Sequence, residues 1–252
     1  MASLTELVAW MDDLLEAPSF EDYGPNGLQV AGSGDVGRIV TGVSAQTELL
    51  ERAAALGADL VLCHHGLFWG SGARGIDQRL KRRLDPLFRH DMSLVAYHLP
   101  LDAHPEIGNN ALLCAGLGLK RGESFAPYEG RDIGWVGHAP DPLSLAELIQ
   151  RSSQLLERVP LVFDGGPDPM CSVGIVSGGA AESIYHAADL GLDAFLTGEP
   201  KEFVMAAARE SGVSFLAAGH YATETFGVRR LGELLAERFS LEHSFVDIPN
   251  PV

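Results

Sequence analysis

The sequence predicts an α/β protein built as two similar lobes, with mixed sheets flanked by helices, and three observations carry that reading. Short apolar runs such as Leu60-Val61-Leu62-Cys63 and Leu94-Val95-Ala96-Tyr97 have the length and continuity of strands buried on both faces. Helix-forming segments alternate with them, as right-handed β-α-β crossovers require. The second half of the chain then repeats the first.

The elements follow in order. Ser3-Leu4-Thr5-Glu6 has the spacing of a capping box, and Leu4, Leu7, Val8, Met11, Leu14 and Leu15 recur at helical spacing, so a packing helix is expected up to Pro18. Tyr23 to Val30 contains Gly-Pro and Asn-Gly, both turn signals. A strand is expected at Arg38 to Val43, then a helix from Thr47 to Leu56 with Gly57 as its C-terminal cap. The strand Leu60 to Cys63 runs into His64-His65-Gly66, followed by the glycine-punctuated loop Gly70 to Gly75. Asp77 to His90 reads as a helix whose Lys81-Arg82-Arg83 cluster is a solvated face. Met92 to Tyr97 is a further strand, ending in His98-Leu99-Pro100-Leu101-Asp102, and Asn109 or Asn110 is expected to cap the next helix.

The repeat is specific. Val173 to Val176 corresponds to the Ile39 to Val43 strand, Asp189-Leu190-Gly191-Leu192-Asp193 to the Ala-Leu-Gly-Ala-Asp helix exit, and Ala194-Phe195-Leu196 to the strand before the histidines. Leu216 to His220 corresponds to Leu94 to His98, and both halves then carry His-x-x-x-carboxylate, ending at Asp102 and Glu224. We expect lobes at residues 1–124 and 125–252, related by a pseudo-twofold, with equivalent strand ends meeting in a cleft between them.

Composition bounds the function. The 252 residues are 46% hydrophobic and 21% charged, enough for a large core. A formal net charge of −16 argues against nucleic acid as a partner and suits a protein that gathers cations. No long apolar run and no basic-then-apolar leader is present, so neither a membrane span nor a signal peptide is expected, and the chain reads as cytoplasmic. Cys63, Cys114 and Cys171 form no C-x-x-C pair and read as reduced thiols, with Cys63 a packing residue of its strand. The glycine-rich pieces, Ser177-Gly178-Gly179 among them, match no phosphate-loop signature.

Ligand sites of open α/β sheets gather beyond the carboxyl ends of strands, where His64 and His65 fall. Neighbours on an extended strand point to opposite sides, which suits two metal ions better than one. If the repeat brings strand ends together, His64, His65, Asp102, His220 and Glu224 converge. Three imidazoles and two carboxylates exceed one tetrahedral ion with an open position, but suit two bridged divalent ions, zinc, iron or manganese rather than calcium. The plainer reading of His220 and Glu224 is a helix-start pair, with Glu224 near the positive end of the dipole. His98 is either a partner of the ligands or a ligand itself, and Glu199 either a proton shuttle or a helix cap; both are candidate catalytic residues.

Asn26-Gly27-Leu28-Gln29-Val30, His64-His65-Gly66-Leu67-Phe68-Trp69, His98-Leu99-Pro100-Leu101-Asp102, Thr197-Gly198-Glu199, Gly219-His220-Tyr221-Ala222-Thr223-Glu224 and Asp247-Ile248-Pro249-Asn250-Pro251-Val252 together resemble the Nif-three-like family, whose members carry the name GTP cyclohydrolase I type 2 homolog. The resemblance runs from about Asn26 to Val252 in the expected order. It implies a dinuclear metal centre ligated by His64, His65, Asp102, His220 and Glu224, and a toroidal homohexamer of stacked trimers with the sites facing an internal cavity. Phe125 to Met170 is too short for the inserted ferredoxin-like domain of some relatives, which makes this the compact form. Tyr221 departs from the second histidine common in close relatives. The resemblance implies a hydrolase that opens the guanine imidazole ring of GTP, or acts on another small or nucleotide-like substrate. The alternatives are a metal-binding assembly or regulatory protein without turnover, and a dimetal peptidase or phosphodiesterase.

Overall fold

The computed structural model describes residues 1–70 and 75–252; Ser71, Gly72, Ala73 and Arg74, the centre of the expected glycine-punctuated loop, lie outside the described residues. The chain forms two compact units, Met1–Leu101 with Gly227–Ile248, and Asp102–Phe226 with Pro249–Val252. Each contains a mixed sheet and helices, as the sequence predicts.

In the first unit the strand order is Glu242–Phe245, Arg38–Ser44, Leu60–His65, Ser93–Ala96, Gly27–Val30, and all neighbours are parallel except the last pair. Val40, Val61, Cys63 and Leu94 of the sheet share one core with Leu49, Leu50 and Ala53 of helix Thr47–Ala55 and Leu84 and Leu87 of helix Gln78–Arg89. Each such side chain removed from water stabilises the fold by roughly 1.5–3 kcal/mol, so this face decides the fold and the polar face of Gln78–Arg89, with Lys81 and Arg82 exposed, does not. Burial holds the Cys63 thiol far above its usual pKa, consistent with a packing role.

The second unit's sheet has the order Lys120–Tyr128, Arg131–Leu143, Met170–Ile175, Ala194–Thr197, Ser214–Ala217, Leu161–Phe163, in which the third, fourth and fifth strands are parallel and the remaining pairs antiparallel. Phe125, Phe195 and Phe215 lie in its core with Ile184 and Ala187 of helix Ser183–Asp189 and Val204 and Ala208 of helix Val204–Ser211.

The repeated sequence makes the same local structure twice. After Thr47–Ala55 the chain turns through Gly57 at φ +69°, Ala58 N–H donates to Ala53 O, and Asp59 Oδ2 accepts from the backbone N–H groups of Gly37 and Arg38. After Ser183–Asp189 it turns through Gly191 at φ +67°, Leu192 N–H donates to Ala187 O, and Asp193 Oδ2 accepts from Cys171 and Ser172 N–H. Buried Ser93 and Ser214 open the next strand in each unit, and their hydroxyls accept from Gly32 N–H and from Gly165 and Gly166 N–H. The carboxylate in each helix exit thus sets the register of the preceding strand.

Three local expectations change. Ser3 precedes helix Leu4–Leu14 but makes no side-chain cap, because Ser3 pairs with Asp35 in a short ladder and Leu4 N–H donates to Gly34 O. That helix ends before Pro18, which sits in a 3-10 turn at Ala17–Ser19. Gly108, rather than Asn109 or Asn110, caps Asn109–Gly116, because both asparagine side chains are used elsewhere. Of the cysteines, Cys63 and Cys114 are buried and Cys171 is exposed.

Candidate metal centre

His64 and His65 end strand Leu60–His65, and His98 follows strand Ser93–Ala96, so all three lie at carboxyl ends of neighbouring parallel strands of the first unit. His64 is fully buried, and its Nδ1 lies 3.0 Å from Tyr97 O. A carbonyl oxygen only accepts, so the proton of the neutral ring is on Nδ1 and Nε2 carries the lone pair. His65 Nδ1 lies 3.1 Å from Ser44 Oγ, a group able to accept the same proton. The ring centroids of His64 and His65 are 4.7 Å apart, closer than alternation along a strand predicts, because His65 is the last residue of the ladder and the chain turns away at Gly66.

The Asn26-Gly27-Leu28-Gln29 stretch supports this cluster. Asn26 Oδ1 accepts from His98 N–H at 2.8 Å, and Gln29 Oε1 accepts from Leu67 N–H at 2.7 Å. A Cβ on Gly66 would overlap the Gln29 amide, so only glycine permits this approach. His98 Nδ1 lies 2.7 Å from Asp22 Oδ1, while Asp22 Oδ2 accepts from Asn26 Nδ2 and Leu99 N–H, each at 2.9 Å. Burial alone would raise the Asp22 carboxyl, but the hydrogen bond and charge of His98, with those from Asn26 and Leu99, hold it below its usual range. One ring nitrogen from each of His64, His65 and His98 lies within 4.8 Å of the others. A cavity of about 10 Å³, room for one water, is lined by His64, His98, Gln29, Phe68 and Trp69 among others.

The remaining candidates lie in the second unit. Asp102, in the short helix Leu99–Ala103, is 5% exposed; its Oδ1 accepts from Asn109 Nδ2 at 2.8 Å and Ser177 Oγ at 3.0 Å. Asn110 binds the same turn, accepting from Ser177 N–H at 2.6 Å and donating to Ile133 O. His220 begins the short helix His220–Thr223 and Glu224 follows it, with His220 Nε2 3.2 Å from Glu224 Oε1 and Nδ1 hydrogen-bonded to Glu199. Burial would lower the His220 pKa, but the carboxylates of Glu224 and Glu199 raise it to about 9. Glu199 therefore meets a ring nitrogen, a contact that a helix cap would not make.

Gly178 completes the arrangement. Its φ is +67°, its N–H donates to Thr223 Oγ1 at 3.0 Å, and a Cβ there would overlap Glu224 Oε1 and reach 3.2 Å from His220 Nε2. Neither Ser177-Gly178-Gly179, which matches no phosphate loop, nor the two asparagines, which read as helix caps, stands out in the sequence as part of a site. The available signal for Ser177 is the repeat, which aligns the strand before it with the one that ends at Ser44.

The donor set fits divalent cations. Neutral imidazole nitrogens and buried carboxylates suit borderline transition metals; His64, His65 and Asp102 each have one atom oriented by a neighbour, and His220 meets Glu199 through Nδ1 and Glu224 through Nε2. Among the described residues no helix is long and apolar enough to cross a membrane.

Comparison with known proteins adds an independent line. Residues 2–251 match the family model described as Duf34/NIF3 (NGG1p interacting factor 3). A Pseudomonas aeruginosa protein named GTP cyclohydrolase 1 type 2 homolog is 44% identical over 249 residues, covering 99% of this chain and 98% of that one. An Escherichia coli protein of the same name is 44% identical over 248 residues, covering 98% of each. The solved structure of protein ybgI, described as of unknown function, superposes with a TM-score of 0.94 at 42% identity, and that of TTHA1606 from Thermus thermophilus with 0.88 at 37%, both covering 100% of each chain.

Proposed function

This chain belongs to the Duf34/NIF3 family, and from that membership we propose that it is a dinuclear-metal-dependent hydrolase acting on a small or nucleotide-like substrate, with GTP ring opening as its named form. His64, His65, Asp102, His220 and Glu224 are the proposed ligands of two divalent ions, zinc, iron or manganese. The observation that supports this reading best is that four of these five residues have one polar atom already held: His64 by Tyr97 O, His65 by Ser44, His220 by Glu199, and Asp102 by Asn109 and Ser177. Such outer partners fix tautomer and orientation before a cation arrives.

Two bound ions would supply Lewis-acid polarisation and a water acidified toward neutrality, the chemistry a hydrolysis at pH 7 needs. The chain's own residues do the rest. Asp22 holds the His98 ring through Nδ1, and Glu199 faces the Nδ1 proton of His220, so these are the proposed groups that hold or move protons beside the ligands. Trp69 and Phe68, with Trp69 edge-on to His98 at 5.2 Å, keep bulk water from the histidines.

We propose further that the protein works in the cytoplasm as a ring-shaped homohexamer. Light scattering then returns several times the 26.9 kDa of one chain, and a single-chain mass refutes the ring. A second reading, a metal-binding partner protein without turnover, draws on the interacting-factor description of the family. Elemental analysis of protein purified without chelator, paired with GTP turnover on the same sample, separates the two. Two ions per chain with ring-opened product, lost in Asp102→Ala, supports the hydrolase; two ions without turnover on any nucleotide supports the partner protein.

A further inference from the structure

Resting on the reading of His220 and Glu224 as site residues, we propose that Pro249–Val252 is a hook that sets the turn from which both project, with Arg158 as the positioning residue that seats it. The closing Asp247-Ile248-Pro249-Asn250-Pro251-Val252 stretch supplies none of the candidate ligands, yet its last four residues belong to the second unit. All four are exposed, so apolar burial contributes little to holding them there. Polar contacts do that instead. Tyr221 N–H is in the first turn of its helix and has no acceptor within it; it donates to Val252 O at 3.0 Å. Arg158 Nη1 donates to Pro251 O, also at 3.0 Å.

The tail is shaped for this before it docks. Pro249 and Pro251 fix their own φ, and Asn250 Oδ1 accepts from Val252 N–H at 3.0 Å, which curls the end back on itself. Little chain freedom is then left to lose. Arg158 is held where packing alone would not put it: its Nε is buried with no hydrogen-bond partner among the described residues, an arrangement that costs stability. Its guanidinium lies against Gly219, the residue that leads into His220. Gly219 has φ +101°, and a Cβ there would overlap the guanidinium, so glycine is required on both counts. Elsewhere the turn is fixed by Gly219 N–H on Gly198 O at 2.9 Å and by Thr223 Oγ1, which donates to Gly219 O and accepts from Gly178 N–H. The hook adds the hold on Tyr221, the first residue after His220.

Metal-free protein tests the hook without any ion. Deleting Pro251 and Val252 is expected to speed hydrogen exchange at Tyr221 by at least about 10-fold while the core strand Ala194–Thr197 keeps its protection. The Nδ1 proton of His220, hydrogen-bonded to Glu199, gives a downfield NMR line. That line should weaken or shift in the deletion and in Arg158→Ala, and return in Arg158→Lys, which can still donate to Pro251 O. A merely structural role would lower stability without moving it. Zinc affinity, read by competition with a chromophoric chelator, should fall by about 10-fold in the deletion and in Arg158→Ala, with no further loss when the two are combined. The proposal is overturned if the deletion leaves Tyr221 exchange and the His220 line unchanged, or if exchange rises while the line and the zinc affinity stay the same. If the unmutated protein binds no zinc, the metal reading fails, and a His220 line that moves in the deletion still supports the hook.

Discussion

Single atoms decide much at the candidate site. Gly178 is the sharpest case, because its φ of +67° and its closeness to Glu224 Oε1 leave no space for a methyl group. Gly178→Ala is therefore expected to lower stability by about 1–3 kcal/mol and to reduce metal content by displacing the Glu224 carboxylate; denaturant melts and elemental analysis check both. His220 makes a pH prediction. Its pKa in the metal-free fold is raised to about 9 from 6.5, so the folded chain holds this proton more tightly than the unfolded one. The stabilisation is complete below about pH 6.5 and is lost as pH rises through about 9. Melting midpoints of metal-free protein should fall across that window, and the slope should be smaller in Glu199→Gln. A cation on Nε2 must displace the same proton, so metal affinity should weaken on acidification. At this scale the sequence marked His64, His65, Asp102, His220 and Glu224 as candidates by residue type and strand-end position. Asp22, Asn109, Asn110 and Ser177 were not legible as site residues, because their role lies in contacts made over up to 76 positions of chain.

Between residue and fold stands the repeated helix exit. Asp59 and Asp193 each take two backbone N–H groups at the start of the preceding parallel strand, and charge-assisted bonds of this kind are worth about 1.5–3 kcal/mol each. Asp59→Asn and Asp193→Asn should each destabilise by about 1–3 kcal/mol in denaturant melts, with the loss at Asp193 at least as large because its Oδ2 also accepts from Ser172 Oγ; a larger loss at Asp59 would refute this. The elements themselves were readable from periodicity and caps: Thr47–Ala55 with Gly57 beyond it and Gln78–Arg89 behind Asp77 fall where the sequence puts them. Asn109 and Asn110 were misread because cap propensity is local, whereas an asparagine amide goes to whichever buried partner tertiary packing supplies.

At the scale of the whole molecule, the chain returns to its first unit after building its second: Glu242–Phe245 forms the edge beside Arg38–Ser44, and residues 227–248 belong with Met1–Leu101. A protein truncated after Phe226 should therefore lose protection of Arg38–Ser44, the strand left uncovered, and hydrogen exchange read at that strand checks this. The sequence division at residue 124 did not contain this return, because a repeat reports similarity between segments and carries no information about which sheet a terminal strand joins.

By itself the sequence determined the α/β class, the buried parallel strands, the repeated strand-helix-strand order and the residue types able to ligate a cation, because all of these follow from local periodicity, caps and chemistry. The family resemblance runs from about Asn26 to Val252, and the membership that the comparison established covers residues 2–251. Only the tertiary structure decided which side chains hold the candidate ligands in place: Tyr97 O behind His64, Asp22 behind His98, Ser177 and Asn109 on Asp102, and Glu199 on His220. The physical reason is that a buried polar atom takes its partner from whatever the fold brings within about 3 Å, and that neighbourhood is set by packing rather than by position along the chain.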